Sequence, residues 1–389
     1  MPKLMILASE FPPGPGGIGT QAYQLSRYLS QMGWEVAVIT SQNFAADEEI
    51  RCFNESQNFR IQRWPSNSIL GPLIIPYRLC LISNYAKKWK PDAVLATGDT
   101  PVYLMAILSH FFNLTWVAVE HGRKPSSSLE RCIKRWAISK ADCVVAVSQY
   151  TCKQMKIMRT NPCRIEVIPN GADDSKFKIL SDSELKIIRS KYPGTYFLLS
   201  VGQVSERKGH DIVIRALPYI LKKMPDTHYF IAGLPTKQKE WAELSRKLGM
   251  EKFVHFLGMV EEKVLIQLFN VCDVFLMPSR HLSTGDFEGF GIAAVEAALC
   301  GKPAVVSKNS GLVEAIAEGA TGISVPAEDA MAVAQAVITL LEDESLRKKM
   351  GKAARERALH EQTWEIRAKE YSDLLHHLLE ASDPKRLCL

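Results

Sequence analysis

The sequence predicts an α/β protein of two doubly wound, Rossmann-like domains in tandem, facing each other across a cleft. Three observations carry this expectation. The chain has 389 residues, about twice the length of a typical domain. Short apolar runs alternate with segments of helical spacing from end to end, as in parallel sheets covered on both faces. The composition turns polar at Asp173-Asp174-Ser175-Lys176, which places the boundary at about residue 172. The domains are then 1–172 and 173–362.

The first domain opens with the apolar run Lys3 to Ala8, read as a buried strand. A glycine- and proline-rich loop, Phe11 to Gly19, follows it. Thr20 to Met32 then puts Ala22, Leu25, Tyr28, Leu29 and Met32 on one helical face. Gly33 ends that helix, and Trp34 to Thr40 is the next strand. Strand, glycine loop, helix, strand is how a parallel α/β unit begins. Ala93 to Ala96, Thr115 to Val119 and Cys143 to Val147 repeat the apolar pattern, and Ile165 to Ile168 runs into the turn Pro169-Asn170-Gly171.

The second domain repeats the plan. Tyr196 to Val201, His228 to Ala232, Val254 to Phe256, Val274 to Met277, Ala304 to Val306 and Gly322 to Val325 read as strands. Helical patterns separate them, notably Ile212 to Lys223, Gly291 to Leu299 and Ala330 to Glu342. The tail from Glu344 to Glu380 keeps helical spacing throughout. Sheets of this kind bind ligands beyond the carboxyl ends of their strands. A cleft between two of them that closes on its substrate suits group transfer.

Composition narrows the function classes. Hydrophobic residues make up 47% and charged residues 23%, which excludes a disordered or fibrous chain. The most apolar stretch, Ile69 to Ile82, is broken by Pro72, Pro76 and Arg78, so no membrane-spanning helix is expected. No secretory signal is read at the start. The nine cysteines contain no C-x-x-C pair, which favours reduced thiols and a cytoplasmic protein. Residues 1–172 carry 19 basic and 12 acidic side chains, so the whole positive excess of +6 lies there. Such a half attracts phosphates or an anionic membrane face, or simply keeps the surface soluble. No basic run interleaved with stacking aromatics is present, so nucleic acid is not an expected partner.

Several segments can carry chemistry. Gly16, Gly17 and Gly19 lie between the first strand and the first helix, where glycine serves a phosphate or a tight turn alike. The spacing is neither a dinucleotide fingerprint nor a P-loop. Gly202-Gln203-Val204-Ser205-Glu206-Arg207-Lys208-Gly209 puts two cations at the end of a strand; they can neutralise a diphosphate or be a solvated loop. In Asp286 to Glu296, Glu288 and Glu296 are eight residues apart around a glycine-rich helix start. Amides there can cradle phosphate, and an acid among apolar neighbours must find donors, such as sugar hydroxyls. Bland alternatives are a helix-start acid for Glu288 and a structural ion pair for Glu296. His121 follows a strand in Glu120-His121-Gly122, where a lone histidine is more often structural than catalytic.

Taken together these segments resemble the retaining glycosyltransferases of family four, the group 1 enzymes of the two-domain B fold (GT-B), along nearly the whole chain. The acid pair Glu288 and Glu296, with Phe290 and Gly291 between them, carries most of the resemblance. Gly16-Gly17-Ile18-Gly19, Glu120-His121-Gly122, Val167 to Asp173, Arg207-Lys208-Gly209 and Ala232-Gly233 add to it in the same order. The resemblance implies transfer of a hexose, of mannose or glucose type, from a nucleoside diphosphate sugar to a lipid-linked or polysaccharide acceptor. The anomeric configuration would be retained, and neither metal nor further cofactor would be needed; no D-x-D motif is present.

It also implies roles. Glu296 would bind ribose hydroxyls, and Glu288 hydroxyls of the transferred sugar. The segment Gly289, Phe290, Gly291 and Ile292 would line diphosphate and ribose through its amides. Lys208, with Arg207, would neutralise the diphosphate, and Gly16 and Gly17 would close over it. His121 would sit beside the sugar, and Met259 and Val260 after Gly258 would hold the base. The last helix, about 363–380, would cross back to the N-terminal domain. One departure is Gln203, where many members carry an arginine; a neutral amide can bond phosphate but adds no charge, so either Arg207 compensates, or donor affinity is weaker, or activity is reduced.

The loop Ser279 to Phe287 is similar to that of phosphatidylinositol mannosyltransferases, which points to GDP-mannose and leaves UDP-sugars open. For the acceptor side, Arg60, Arg63, Trp64, the run Leu73 to Arg78, Lys87 to Lys90, and Arg131, Lys134, Arg135 and Trp136 suit peripheral docking on the inner face of the cytoplasmic membrane. A core loop with a solvated helix face is the plain alternative. Two other functions fit the fold: a nucleotide-sugar epimerase, against which the acid pair speaks, and a non-catalytic binding protein, which Gln203 alone favours.

Overall fold

The computed structural model describes residues 1–389 apart from 42–44, 65–72, 124, 126, 158–163 and 382–389. The chain forms two compact units. One holds Met1–Asn170 and the chain from Trp364 onward; the other holds Gly171–Thr363.

The first unit is built on seven parallel strands: β1 (Lys3–Ala8), β2 (Glu35–Ser41), β3 (Arg60–Trp64), β4 (Ala93–Thr97), β5 (Thr115–Glu120), β6 (Cys143–Ala146) and β7 (Ile165–Val167). Their order is β3-β2-β1-β4-β5-β6-β7. The helices α1 (Gly17–Gln31), α2 (Asp47–Glu55), α3 (Ile74–Trp89), α4 (Asp99–Leu108), α5 (Ser128–Ile138) and α6 (Gln149–Ile157) alternate with them. The central strands β1, β4, β5 and β6 are near-continuous apolar runs because helices cover both of their faces.

Two expectations need correction here. The pentapeptide Arg60–Trp64 is an edge strand paired with β2 alone, not a basic surface segment. An edge strand needs no continuous apolar run, so a search for doubly covered strands passes over it. Arg60 stays exposed, but Arg63 and the aromatic and basic side chains around Trp64 are largely interior. Trp64 is buried, Arg78 is buried with its guanidinium 5.0 Å from the Trp64 ring, and Trp89 is buried. Arg63 donates to the Pro12 carbonyl and to Asn54, and burial pushes it down to about 10. The part of the Ile69 to Ile82 stretch before Leu73 lies outside the described residues. The second correction is the start of α1, which is Gly17 rather than Thr20, so Gly17 and Gly19 belong to its first turn.

The second unit has six parallel strands: β8 (Tyr196–Val201), β9 (Thr227–Ala232), β10 (Val254–Gly258), β11 (Val274–Met277), β12 (Ala304–Ser307) and β13 (Gly322–Val325), in the order β10-β9-β8-β11-β12-β13. Its helices are α7 (Asp182–Arg189), α8 (His210–Lys223), α9 (Gln238–Lys247), α10 (Glu262–Val271), α11 (Ile292–Leu299), α12 (Leu312–Ala315), α13 (Ala330–Glu342) and α14 (Glu344–Glu361). Helix starts are fixed locally. Ser181 and Glu184 form a capping box on α7, and Asp329 and Asp343 cap α13 and α14.

The tail is two helices. After α14 the helical pattern breaks at Gln362 and Thr363, where the Gln362 carbonyl accepts from Ala172 and Thr363 pairs with Ala172. The last helix, α15 (Trp364–Ala381), belongs to the first unit. It packs on α1, and its Ser372 hydroxyl accepts from the Trp34 indole at 3.0 Å. Among the described residues, no helix is long and apolar enough to cross a membrane.

Candidate functional site

The candidate residues fall into two groups, one in each unit. In the second unit β8 pairs with both β9 and β11, so the connections from β8 and β11 leave in opposite directions. The opening between them is where such a sheet receives a ligand. Gln203, Arg207 and Lys208 come from the loop after β8. Glu288, Gly289, Phe290, Gly291 and Ile292 come from the loop after β11.

These two loops meet through charge. Lys208 Nζ lies 2.8 Å from Glu288 Oε2, and Arg207 Nη1 contacts the same oxygen. Burial opposes the charge on Glu288, but Arg207 and Lys208 outweigh it and hold the carboxyl at about 2. Burial pulls Lys208 below the usual lysine range, while Glu288 opposes that shift. Two cations on one carboxylate leave the cluster with one positive charge in excess. The sequence assigns these groups to different parts of a ligand; the structure joins them.

Backbone geometry sets the cluster in place. Lys208 ends a 3-10 turn, Glu206–Lys208, closed by Gly209 at φ +73. A Cβ there would lie 2.1 Å from the Pro278 carbonyl oxygen, so only glycine lets the β8 loop reach the β11 loop. Gly291 precedes α11 at φ +93, and a Cβ on it would meet Leu312 at 2.2 Å. In the first turn of α11 the Ala294 amide donates to the Gly291 carbonyl, while the amides of Ile292 and Ala293 have no acceptors within the helix and are aimed out of its N-terminus.

Glu296 stands on the second turn of α11. Burial pushes its carboxyl up to about 7, with Lys176 and Lys208 opposing and Asp173 and Glu262 reinforcing. Gln203 is exposed, and its amide donates to Thr236 Oγ1 at 3.0 Å. Met259 and Val260 follow Gly258 at the end of β10, an edge strand two places from β8. Met259 is exposed.

In the first unit, β1 pairs with both β2 and β4, so the direction of connection changes there too. Gly16 and Gly17 leave the β1 side, and His121 follows β5. Gly16 sits at φ +143 and caps α1. A Cβ on it would lie 2.0 Å from Glu10 Oε2. The bare glycine therefore lets the Glu10 carboxylate fold into its own loop, where it accepts from the Gly19 amide. Burial raises the Glu10 carboxyl. Sequence reasoning missed Glu10, although an acid at the end of an apolar strand beside a glycine loop is the signal that singled out Glu288.

His121 Nε2 lies 2.7 Å from Thr97 Oγ1. Burial pushes the imidazole down to about 4, so it is neutral at neutral pH. Beside it, Lys134 is interior rather than part of a basic helix face. Its ammonium lies 2.7 Å from Glu120 and 3.2 Å from Asp99, and donates to the Arg123 carbonyl. Burial works against that charge, but the two carboxylates hold it above the usual lysine range. The opposite face of α5 does point outward, exposing Leu129, Ile133 and Trp136 with Arg131 and Arg135. Among the described residues, no group of three or more His, Cys, Asp or Glu side chains is placed to hold a metal ion.

Comparison with known proteins gives the context. Residues 15–176 match the family described as Glycosyltransferase Family 4, and residues 182–357 match Glycosyl transferases group 1. The chain is 27% identical over 381 residues to the GDP-mannose-dependent monoacylated alpha-(1-6)-phosphatidylinositol monomannoside mannosyltransferase of Corynebacterium glutamicum, covering 96% of this chain and 97% of that one. It is 26% identical to the glycogen synthase of Mycobacterium tuberculosis over 392 residues, 93% of this chain and 92% of that one. Among solved structures, the sucrose-phosphate synthase of Thermosynechococcus elongatus superposes with a TM-score of 0.83 at 21% identity, over 98% of this chain and 100% of that one. The fold is therefore GT-B.

Proposed function

Because the chain belongs to the family four, group 1 glycosyltransferases and is a hexosyltransferase fed by a nucleotide sugar, we propose that it transfers mannose from GDP-mannose, with retention of configuration, to a lipid-linked acceptor. The observation that carries this reading is the Arg207–Lys208–Glu288 cluster at the point where the second sheet changes direction. Its excess positive charge and the open amides of α11 suit a diphosphate. Glu288 and Glu296 then suit hydroxyls, Glu288 on the sugar and Glu296 on the ribose. Met259 and Val260 serve the base. The mannose assignment follows the name of the corynebacterial relative and the loop before Glu288.

In the reaction the bond from the anomeric carbon to the diphosphate breaks, and one to the acceptor oxygen forms. The acceptor proton passes to the departing diphosphate oxygen on the same face. Lys208, Arg207 and the α11 amides stabilise the charge that grows there, which is electrostatic catalysis by preorganised groups. They also supply what a divalent cation supplies elsewhere, so no metal is required. In the first unit, His121 suits a hydroxyl, and Gly16 and Gly17 suit a phosphate. Gln203 contributes a hydrogen bond without charge, and Arg207 makes up the difference.

The acceptor-side surface is the outward face of α5 with the exposed Leu73, Ile75 and Tyr77 at the start of α3. Apolar side chains flanked by arginines suit the inner, anionic face of a cytoplasmic membrane.

The deciding experiment is thermal stabilisation by nucleoside diphosphates and their sugars, since a ligand of the native state raises the melting temperature. GDP and GDP-mannose should stabilise the wild type and fail on Glu296→Ala. Stabilisation by UDP-sugars alone would move the donor assignment. No stabilisation by any nucleotide would remove the donor site as drawn.

A further inference from the structure

A buried hydrogen-bond chain runs from His121 across the first unit. The Thr97 hydroxyl donates to Gln21 Oε1 at 3.0 Å. The Gln21 amide donates to Asn170 Oδ1 at 2.9 Å and to the Tyr371 hydroxyl at 3.3 Å. Gln21 and Thr97 are wholly buried, and Asn170 and Tyr371 nearly so. Asn170 is the last residue before the chain leaves this unit, and Tyr371 lies on α15.

Donor and acceptor accounting fixes the direction of the chain. A threonine hydroxyl has one proton, and here that proton goes to Gln21. Thr97 Oγ1 can then meet His121 Nε2, 2.7 Å away, only by accepting from it. The imidazole is therefore the Nε2–H tautomer, and Nδ1 keeps its lone pair. No partner for Nδ1 is found among the described residues.

We propose that Gln21 and Thr97 are positioning residues that lock His121 in the Nε2–H tautomer, so that Nδ1 accepts a hydrogen bond from a substrate hydroxyl. The substrate half rests on the glycosyl-transfer reading above; the tautomer half does not. The ring's position and protonation are set by residues far apart in the chain. The nearest of these partners is Thr97, and the farthest along the chain from Gln21 is Tyr371, 350 residues away. A hydroxyl held by Nδ1 is presented with its oxygen lone pairs free and its proton engaged, the state that suits orientation of a sugar or acceptor hydroxyl.

The test uses the full chain, with long-range proton–nitrogen NMR of its nine histidines. The His121 signals are identified by their loss in His121→Gln. At neutral pH the wild type should show a protonated Nε2 and an unprotonated Nδ1, and Thr97→Val should abolish that single-tautomer pattern while Thr97→Ser keeps it. An Nδ1–H pattern in the wild type, or an unchanged pattern in Thr97→Val, overturns the proposal. With nucleotide sugar and a lipid extract as acceptor, Thr97→Val and Gln21→Met should lower kcat about tenfold, the scale of one lost hydrogen bond, with little change in the KM of the nucleotide sugar. Thr97→Ser should restore kcat. An unchanged kcat in folded Thr97→Val overturns the positioning role. A wild type with the expected tautomer but no transfer from any nucleotide sugar would instead refute the functional reading and leave the tautomer assignment standing.

Discussion

Glu296 is the residue whose environment makes the sharpest demand. Burial raises its carboxyl to about 7, above the ordinary glutamate value of 4.5. Between those values the folded protein holds a proton that the unfolded chain releases. Stability contributed by this group therefore falls as pH rises through that window. Binding should run the other way. A carboxylate accepts two ribose hydroxyls, whereas the protonated form is a poorer acceptor. Affinity for a nucleotide sugar should rise from pH 6 to pH 8, and Glu296→Gln should flatten the profile. Calorimetric titration with an intact nucleotide sugar checks this, because its diphosphate does not titrate in that range. A profile equally steep in Glu296→Gln would remove Glu296 from the site. Glu288 differs although it sits in the same loop system: Arg207 and Lys208 hold it ionised at about 2, so it contributes no slope there.

At the scale of elements, function depends on how α11 starts. Gly291 takes φ +93, and Leu312 occupies the place of the missing side chain. Gly291→Ala must strain the backbone and displace either Leu312 or the helix start, at about 1–3 kcal/mol. The expected outcome is a lower melting temperature together with weaker nucleotide-sugar binding, since the amides of the first turn move. A variant that melts lower but binds as the wild type would separate the helix start from ligand binding. The elements legible in the sequence were those with continuous apolar runs or helical spacing. Strand β3 was not, because it lies at an edge and alternates, with Arg60 and Gln62 outward. The expectation of a last helix at about 363–380 came from the family resemblance, and helical spacing alone did not show the break between α14 and α15. Helical spacing continues across it, and what stops the helix is the pairing of Thr363 with Ala172, nearly two hundred residues earlier in the chain.

For the molecule as a whole, the positive excess of the N-terminal half and the outward face of α5 give the prediction. Vesicles containing anionic lipid should carry the protein upward in a flotation gradient, and added salt should release it. Replacing Ile133 and Trp136 with serine should weaken flotation without changing nucleotide-induced stabilisation. Binding equal on neutral vesicles, or indifferent to salt, would refute docking by this face. Lys134 should not matter directly, because its charge is spent on Glu120 and Asp99 inside the unit.

The sequence by itself determined the fold class, the order of the central strands' runs, and the candidate residues Gly16, His121, Lys208, Glu288 and Glu296. These are encoded locally, in apolar periodicity and in the few residue types that a phosphate, a hydroxyl or a tight turn accepts. Tertiary structure alone decided the partners. Arg207, Lys208 and Glu288 meet because β8 and β11 are neighbours in space. The Glu10 carboxylate folds under Gly16, and Lys134 turns inward to Glu120 and Asp99. His121 connects through Thr97 and Gln21 to Asn170 and Tyr371. A charge or a hydrogen bond depends on distance in space, and that distance is fixed only once strands from remote parts of the chain are laid side by side.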